Sequence, residues 1–408
     1  MKRQFFGAAL ILLLAGFTAP AMARDSGPHV SKAVAVPLEA ALKLAEAKDF
    51  TTALSKVREA QTVPDRTPFD DFKINEVLGF VAINLNDHAT AREAFEAMAD
   101  SPAVEIADKK DALHNAILLA NENKEYDRVV KYAGMAQQAG PLDDIEIGAL
   151  SQTYFYQGNY SLAQSTVQKA INNANAAGQI PGQGLLDVLL TSQVKQKDQT
   201  GAAQTLELLA QDYGKADDWG ELLDLSLGTK GMQDLDVLNI YRLRLVANAT
   251  MSAEDYLVMS GIAEHLGYPV EALEALEHGQ SKGISSGAKT AAQLATLRPK
   301  AAQDRRTIAS FDTLAQARKT GDYDLKLAQT YFGYGRYGDA EAAARRALAK
   351  GGVPAAQVQT VLGMALAMEG KNADASQALA QAGGTPAMDK VVHLWSLYVG
   401  RKYSAAAQ

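Results

Sequence analysis

The sequence predicts an all-α protein: a superhelical solenoid of about ten stacked helical hairpins in series, ended by a C-terminal capping helix. Three observations predict it. A compact apolar residue recurs as Ala53, Ala91, Val129, Ala163, Ala202, Ala272, Ala340 and Ala375, at intervals of 38, 38, 34, 39, 70, 68 and 35 residues. Each follows a turn signal, clearest between Leu327 and Ala340, where Gly335 parts one apolar helical run from another opening at Tyr337, and the arrangement returns at Leu150 to Ala163 and Leu362 to Ala375. Proline is sparse, 12 in 408 residues, so long stretches are free to be helical.

The chain opens with Lys2 and Arg3, an apolar run from Phe5 to Phe17, and Pro20 before Ala21-Met22-Ala23. These are the three zones of an export signal, with cleavage expected after Ala23 and a periplasmic address for the product. The run is shorter than the roughly 20 apolar residues of a membrane span, so no stable membrane anchor is expected. Residues 24–36, with Ser26-Gly27-Pro28, read as a flexible lead-in.

Residues 37–382 form the repeat domain. Two intervals near twice 35 each predict a degenerate hairpin. One runs from Asp217 to Val246 and turns at Gly228-Thr229-Lys230-Gly231; the other runs from Gly287 to Arg318, with Pro299 in the first turn of its second helix. Residues 383–408 read as a closing helix and short tail, with Val391, Leu394, Trp395 and Tyr398 on one face. Helices of about 12 residues are marginal alone in water, so each must bury a face on its neighbours, and the compact anchors let two helix backbones approach.

Charge and cysteine usage narrow the function. The formal charge of −7 becomes −9 once Lys2 and Arg3 are removed, which argues against nucleic acid as a partner. With no cysteine, stability in an oxidising compartment rests on apolar burial, and no thiol nucleophile exists. Gly333, Gly335 and Gly338 spell G-x-G-x-x-G, but a helix rather than a strand precedes them and Val358 stands where a ribose-binding acid is needed, so they read as a turn and no cofactor is expected. The six histidines are scattered, with no HExxH. Glu274 with His278, and Asp389 with His393, each share a helix face, yet two ligands are too few for closed zinc coordination, and no metal site is expected. Arg298, Lys300, Arg305 and Arg306 form the densest basic cluster, read as a solvated face.

Several elements match a known repeat. Leu78-Gly79 and Leu362-Gly363 supply Leu-Gly in a first helix, Gly158-Asn159-Tyr160 and Gly335-Arg336-Tyr337 supply Gly-x-Tyr at a turn, and Ala91 with Phe95 and Ala272 with Leu276 supply the small residue and its larger partner four positions on. In this the chain resembles the tetratricopeptide repeat (TPR) family from about Pro37 to Ala382, with Val129, Asn372 and Pro269 as departures. The segment from Asp217 to Leu245 also resembles part of proteobacterial envelope repeat proteins. The resemblance implies a non-enzymatic scaffold whose first helices line a concave face that holds a protein or peptide, in envelope assembly or transport. Eleven residues before the anchors stand Leu42, Phe80, Leu118, Gln152, Thr191, Gly261, Gln329 and Met364; none is asparagine, which disfavours the family's clamp for a C-terminal carboxylate. The candidate lining is Phe80, Ile83, Gln152, Phe155, Tyr156, Gln329, Phe332, Met364 and Met368, with core packing as the alternative for each. Two competing readings are a helical enzyme acting on cell-wall glycan, which needs paired carboxylates and stacking aromatics, and a structural adaptor of an envelope complex.

Overall fold

A single turn geometry, repeated, organises the chain. The computed structural model describes residues 29–402; the export signal, residues 24–28 of the lead-in and residues 403–408 lie outside the described residues. Among the described residues there are 20 α-helices and no strand. In order they are α1 (Lys32–Glu46), α2 (Phe50–Gln61), α3 (Pro68–Asn84), α4 (His88–Asp100), α5 (Lys110–Glu122), α6 (Tyr126–Ala139) and α7 (Asp144–Tyr156). Then come α8 (Tyr160–Ala176), α9 (Gln183–Gln196), α10 (Gln199–Asp212), α11 (Ala216–Leu227), α12 (Asp234–Val246), α13 (Ala253–His265) and α14 (Pro269–Ser281). The last are α15 (Ala288–Ala317), α16 (Asp322–Gly333), α17 (Tyr337–Lys350), α18 (Ala355–Met368), α19 (Asn372–Ala380) and α20 (Pro386–Val399).

Every anchor falls on the fourth residue of a second helix, in α2, α4, α6, α8, α10, α14, α17 and α19, and all are buried. Five residues before each anchor the backbone turns left-handed, at Lys48, Asn86, Lys124, Gly158, Lys197, Gly267, Gly335 and Gly370. The next amide then returns to a carbonyl five residues back, as Asp49 to Leu44 at 2.9 Å and Arg336 to Tyr331 at 2.9 Å. This is the left-handed helix stop, which satisfies a carbonyl that the ended helix leaves free. Half of these turns lack glycine, which is why glycine alone marks only half of them.

The Leu-Gly element has an equally local cause. A Cβ on Gly79 would lie 2.8 Å from the Phe95 ring, and one on Gly363 would lie 2.7 Å from Leu379 Cγ. Phe95 and Leu379 stand four residues after the anchors Ala91 and Ala375. The missing side chain on the first helix therefore seats the large one on the second.

The chain divides into two compact units, at Ala202 and Ala203. In the first unit each hairpin packs on the next, and first helices also meet one another, α1 on α3, α5 on α7 and α7 on α9. Val34, Leu38, Val57, Ile74 and Val81 belong to one apolar cluster, and Phe72, Phe95, Leu113, Ile117 and Leu150 to the next. In the second unit α14 meets α16 and α16 meets α18, but α20 departs from a simple series. It packs on α18 and α19 and also on α12, so the array closes on itself. Trp395 Nε1 donates to Asn239 O at 3.1 Å and Tyr398 Oη to Val246 O at 3.3 Å, across more than 150 residues of sequence.

Two expectations are corrected. The first helix starts at Lys32, inside the segment read as lead-in, because Ser31 donates its amide to Asp70 Oδ1 at 2.7 Å and Val34 is fully buried; Pro37 lies within the helix. The hairpin expected from Gly287 to Arg318 is one 30-residue helix, α15, so nine hairpins stand among the described residues, together with α15 and α20. Pro299 lies on its exposed side while Leu294, Leu297 and Ala301 are buried, and Leu297-Arg298 offers no capping side chain to start a new helix. Packing overrides the roughly 3 kcal/mol that an interior proline costs. The other degenerate hairpin is present as α11 and α12, with its turn at Gly228 to Gly231.

Candidate functional site

The second unit has a charged centre, built on α12. Seven consecutive residues of this helix, Leu238 to Arg244, are buried, so it is enclosed on all sides. Arg242 therefore needs every donor paired. Its Nε and Nη2 donate to Glu271 Oε1 and Oε2 at 2.7 Å each, Nη1 donates to Asn239 Oδ1 at 3.0 Å and to Gln329 Oε1, and Nη2 also reaches Gln329 O at 3.3 Å. All five N–H groups are satisfied. Burial pulls the guanidinium pKa down, and the Glu271 carboxylate outweighs it, leaving the group above its ordinary value. The Phe332 ring lies 5.0 Å from the guanidinium carbon, within cation–π range.

Gly333 makes this pair possible. A Cβ there would sit 2.5 Å from Glu271 Oε2, so the first glycine of the G-x-G-x-x-G run is a packing requirement. Gly335 is the left-handed turn and Gly338 lies in α17, so the run joins two helices with no strand before it, unlike the dinucleotide-binding fingerprint.

Beside the pair is a cavity of about 220 Å³ lined by Arg242, Glu271, Glu274, His278, Phe332 and Tyr337, among others. Burial pushes the Glu274 carboxyl up, opposed by Arg305 at 2.9 Å. Burial, with Lys282 nearby, pushes the His278 imidazole down and so favours its neutral form. Both carboxylates of the cavity hold an arginine, Glu271 pairing with Arg242 and Glu274 with Arg305.

The predicted lining residues divide between the units. In the first, Phe80 is partly buried against Phe50, with ring centroids 6.2 Å apart, and Ile83 packs on the neighbouring apolar cluster. Gln152 accepts from Asn121 Nδ2 at 3.0 Å, linking α7 to α5. Phe155 and Tyr156 form an aromatic group with Tyr126 and Tyr160: Tyr126 stacks on Tyr156 at 5.7 Å, and Phe155 meets Tyr156 at 5.6 Å and Tyr160 at 5.4 Å. Tyr156 is 51% exposed. In the second unit Gln329, Phe332 and Met364 are buried and Met368 is partly buried. The first three thus belong to the interior rather than to an open groove, because α12 and α20 fill the space: Arg242 takes Gln329, and Trp395 covers Phe332 at 6.0 Å. Sequence reasoning missed Arg242 and Glu271 as a site, and the signal was two arginines inside the mostly apolar run from Ile240 to Val246.

The two histidine pairs do not form. Glu274 turns to Arg305 and His278 lies beside the Tyr256 ring, while His393 Nε2 meets Glu207 at 2.9 Å and Asp389 accepts from the Gly384 amide at 2.8 Å. Three of the four basic-cluster residues are neutralised locally, Arg298, Lys300 and Arg305 pairing with Glu277, Glu264 and Glu274, while Arg306 donates to the side-chain amide oxygen of Gln303.

Neither a protein-family model nor a curated protein sequence matches the chain. Solved structures with a related fold include a tetratricopeptide repeat protein from Parabacteroides merdae, at 11% identity and TM-score 0.38 over 66% of this chain and all of that one. Naa15/Naa10 bound to HypK-THB matches at 13% identity and TM-score 0.34 over 87% of this chain, and the pentatricopeptide repeat protein PPR10 from maize at 12% and 0.33 over 90%. This chain spans 64% and 61% of the last two. The helical-repeat assignment rests on the turns and anchors above, which need no relative to be seen. No helix among the described residues is long and apolar enough to cross a membrane.

Proposed function

We propose that the protein is a non-enzymatic periplasmic scaffold that holds a partner protein or peptide, serving envelope assembly or transport. The export reading rests on the N-terminal sequence alone. One comparison inside the chain supports docking. Phe155 and Tyr160 precede Ala163 by eight and three residues, as Phe332 and Tyr337 precede Ala340, and the two ring pairs have nearly equal separations, 5.4 and 5.3 Å. At the second pair the chain's own helix α20 lays Trp395 over Phe332. At the first, the adjoining Tyr156 presents half its surface to solvent. The covered pair thus illustrates what such a position accepts, a helix with an aromatic anchor, and the exposed half of Tyr156 gives another chain a ring to contact in the first unit.

The test is crosslinking in cells of the tagged full-length protein, wild type against Phe155→Ala/Tyr156→Ala, with the partners identified by mass spectrometry. One or a few specific proteins should be lost from the variant. Identical recovery would remove these two residues from the interface, and the absence of any specific crosslink would overturn the scaffold reading.

A further inference from the structure

A cluster in the first unit stands apart from everything above. His114 on α5, Asp143 at the N-cap of α7 and Glu146 three residues later bring one imidazole nitrogen and two carboxylate oxygens within 4.8 Å of one another. Each carboxylate is already oriented by backbone. Asp143 Oδ1 accepts from the amides of Ile145 at 2.9 Å and Glu146 at 2.8 Å, and Glu146 Oε2 accepts from the Asp143 amide at 3.0 Å. That capping box uses one oxygen of each and directs the other at His114: Asp143 Oδ2 lies 3.3 Å and Glu146 Oε1 3.1 Å from Nδ1.

Comparison with the other capping boxes shows what is unusual. Thr67 with Asp70, Gln233 with Asp236 and Ser252 with Asp255 each contribute one carboxylate. The first is met by the Ser31 amide, the third by Tyr241 and Arg244. Among the capping boxes of the described residues, two carboxylates converge at α7 alone, and the group from the preceding repeat that meets them is a metal-ligating side chain. The His114 and Glu146 side chains are 11% and 2% exposed while that of Asp143 is 47% exposed, so two ligands are fixed and the third opens to solvent.

We propose that His114, Asp143 and Glu146 form a binding site for one divalent cation of the zinc class, completed by water on the Asp143 side. Ligands at about 2.0 to 2.2 Å from a tetrahedral ion are separated by roughly 3.3 Å, and the two separations measured from Nδ1 match that edge. The carboxylates already accept backbone hydrogen bonds of the outer-shell kind that orient metal ligands. Mixed carboxylate and imidazole ligation with open positions suits zinc or manganese rather than calcium. Nothing in this site depends on the aromatic group or on the scaffold reading.

The test uses the full chain, stripped with chelator, titrated with zinc chloride by calorimetry and with cobalt(II) by visible absorption. Wild type should take up one ion at this site with a dissociation constant of about 10 μM or tighter. Asp143→Asn/Glu146→Gln keeps capping side chains at both positions while removing both charges, and should bind at least tenfold more weakly with an unchanged circular dichroism spectrum. His114→Gln should do the same. Because His29, His88, His265, His278 and His393 remain in every variant, binding that persists unchanged in the double variant belongs elsewhere and overturns the proposal. So does a wild-type protein that takes up no zinc and gives no cobalt ligand-field bands, a result independent of any variant's folding.

Discussion

Arg242 and Glu271 share a two-pronged ion pair in the closed interior of the second unit, each nitrogen 2.7 Å from its own carboxylate oxygen. Removing one member leaves the other charged and buried, so Arg242→Met is expected to cost about 3 to 5 kcal/mol. Replacing both, as Arg242→Met/Glu271→Leu, should recover most of that loss, since a well-packed apolar pair of similar volume is often neutral. Urea denaturation of the two singles and the double would measure the coupling; additive losses would mean that the pair is not the unit of stability.

Glycines with identical side chains should respond oppositely to alanine. A Cβ on Gly321 would lie 2.5 Å from Ala347 O and 2.8 Å from Ala347 Cα, backbone that cannot yield, so Gly321→Ala should cost about 2 kcal/mol or more. Gly134 is exposed in α6 with open space around its Cα, and Gly134→Ala should gain about 0.5 to 1 kcal/mol from helix propensity. Ala340→Leu, at a fully buried anchor, belongs with the first and should cost about 1 to 3 kcal/mol. Thermal melts with all three lowered equally would contradict the packing described.

Most of the hairpin pattern was legible because its causes are local. The anchors, the Leu-Gly element and the buried face of α20 each follow from residues within one hairpin or one helix. The misreadings share one physical source, contacts distant in sequence. Asp70 holds Ser31 and so extends α1 upstream, and the packing of Leu294, Leu297 and Ala301 against Met259, Leu273 and Leu276 of α13 and α14 carries α15 through Pro299. The interior fate of Gln329 and Phe332 depends on Arg242 and Trp395, 87 and 63 residues away along the chain, which no periodicity reveals. The His114 cluster was hidden for the same reason, since its carboxylates lie one repeat downstream.

Left-handed turn positions occupied by lysine carry a backbone cost that glycine lacks. Lys197→Gly should therefore stabilise by up to about 1 kcal/mol, partly offset by the freedom glycine gains in the unfolded chain. Equilibrium denaturation showing a loss instead would point to a side-chain role for Lys197.

Alkaline pH should weaken the second unit. Burial pushes the Tyr241 phenol up to about 12, with Asp255 adding to the effect, and burial does the same for Tyr268, also to about 12. The unfolded chain loses these protons first, near pH 10, so the stability they confer is complete below about 10 and declines as pH rises toward about 12. An ultraviolet titration should show late-ionising tyrosines, and Tyr241→Phe should remove part of the pH dependence. A single transition near the ordinary tyrosine value, with flat stability, would contradict the burial.

Closure of the second unit by α20 on α12 most directly tests the arrangement, because a simple solenoid would leave these helices apart. The chain has no cysteine, so Asp234→Cys on α12 and Ser396→Cys on α20 can carry spin labels cleanly. Pulsed dipolar spectroscopy should return a narrow distribution at short distance, as expected for helices in direct contact. A broad or long-distance distribution would mean that α20 caps only the last hairpin, leaving Gln329 and Phe332 on an open face and ending the case for a self-filled interior.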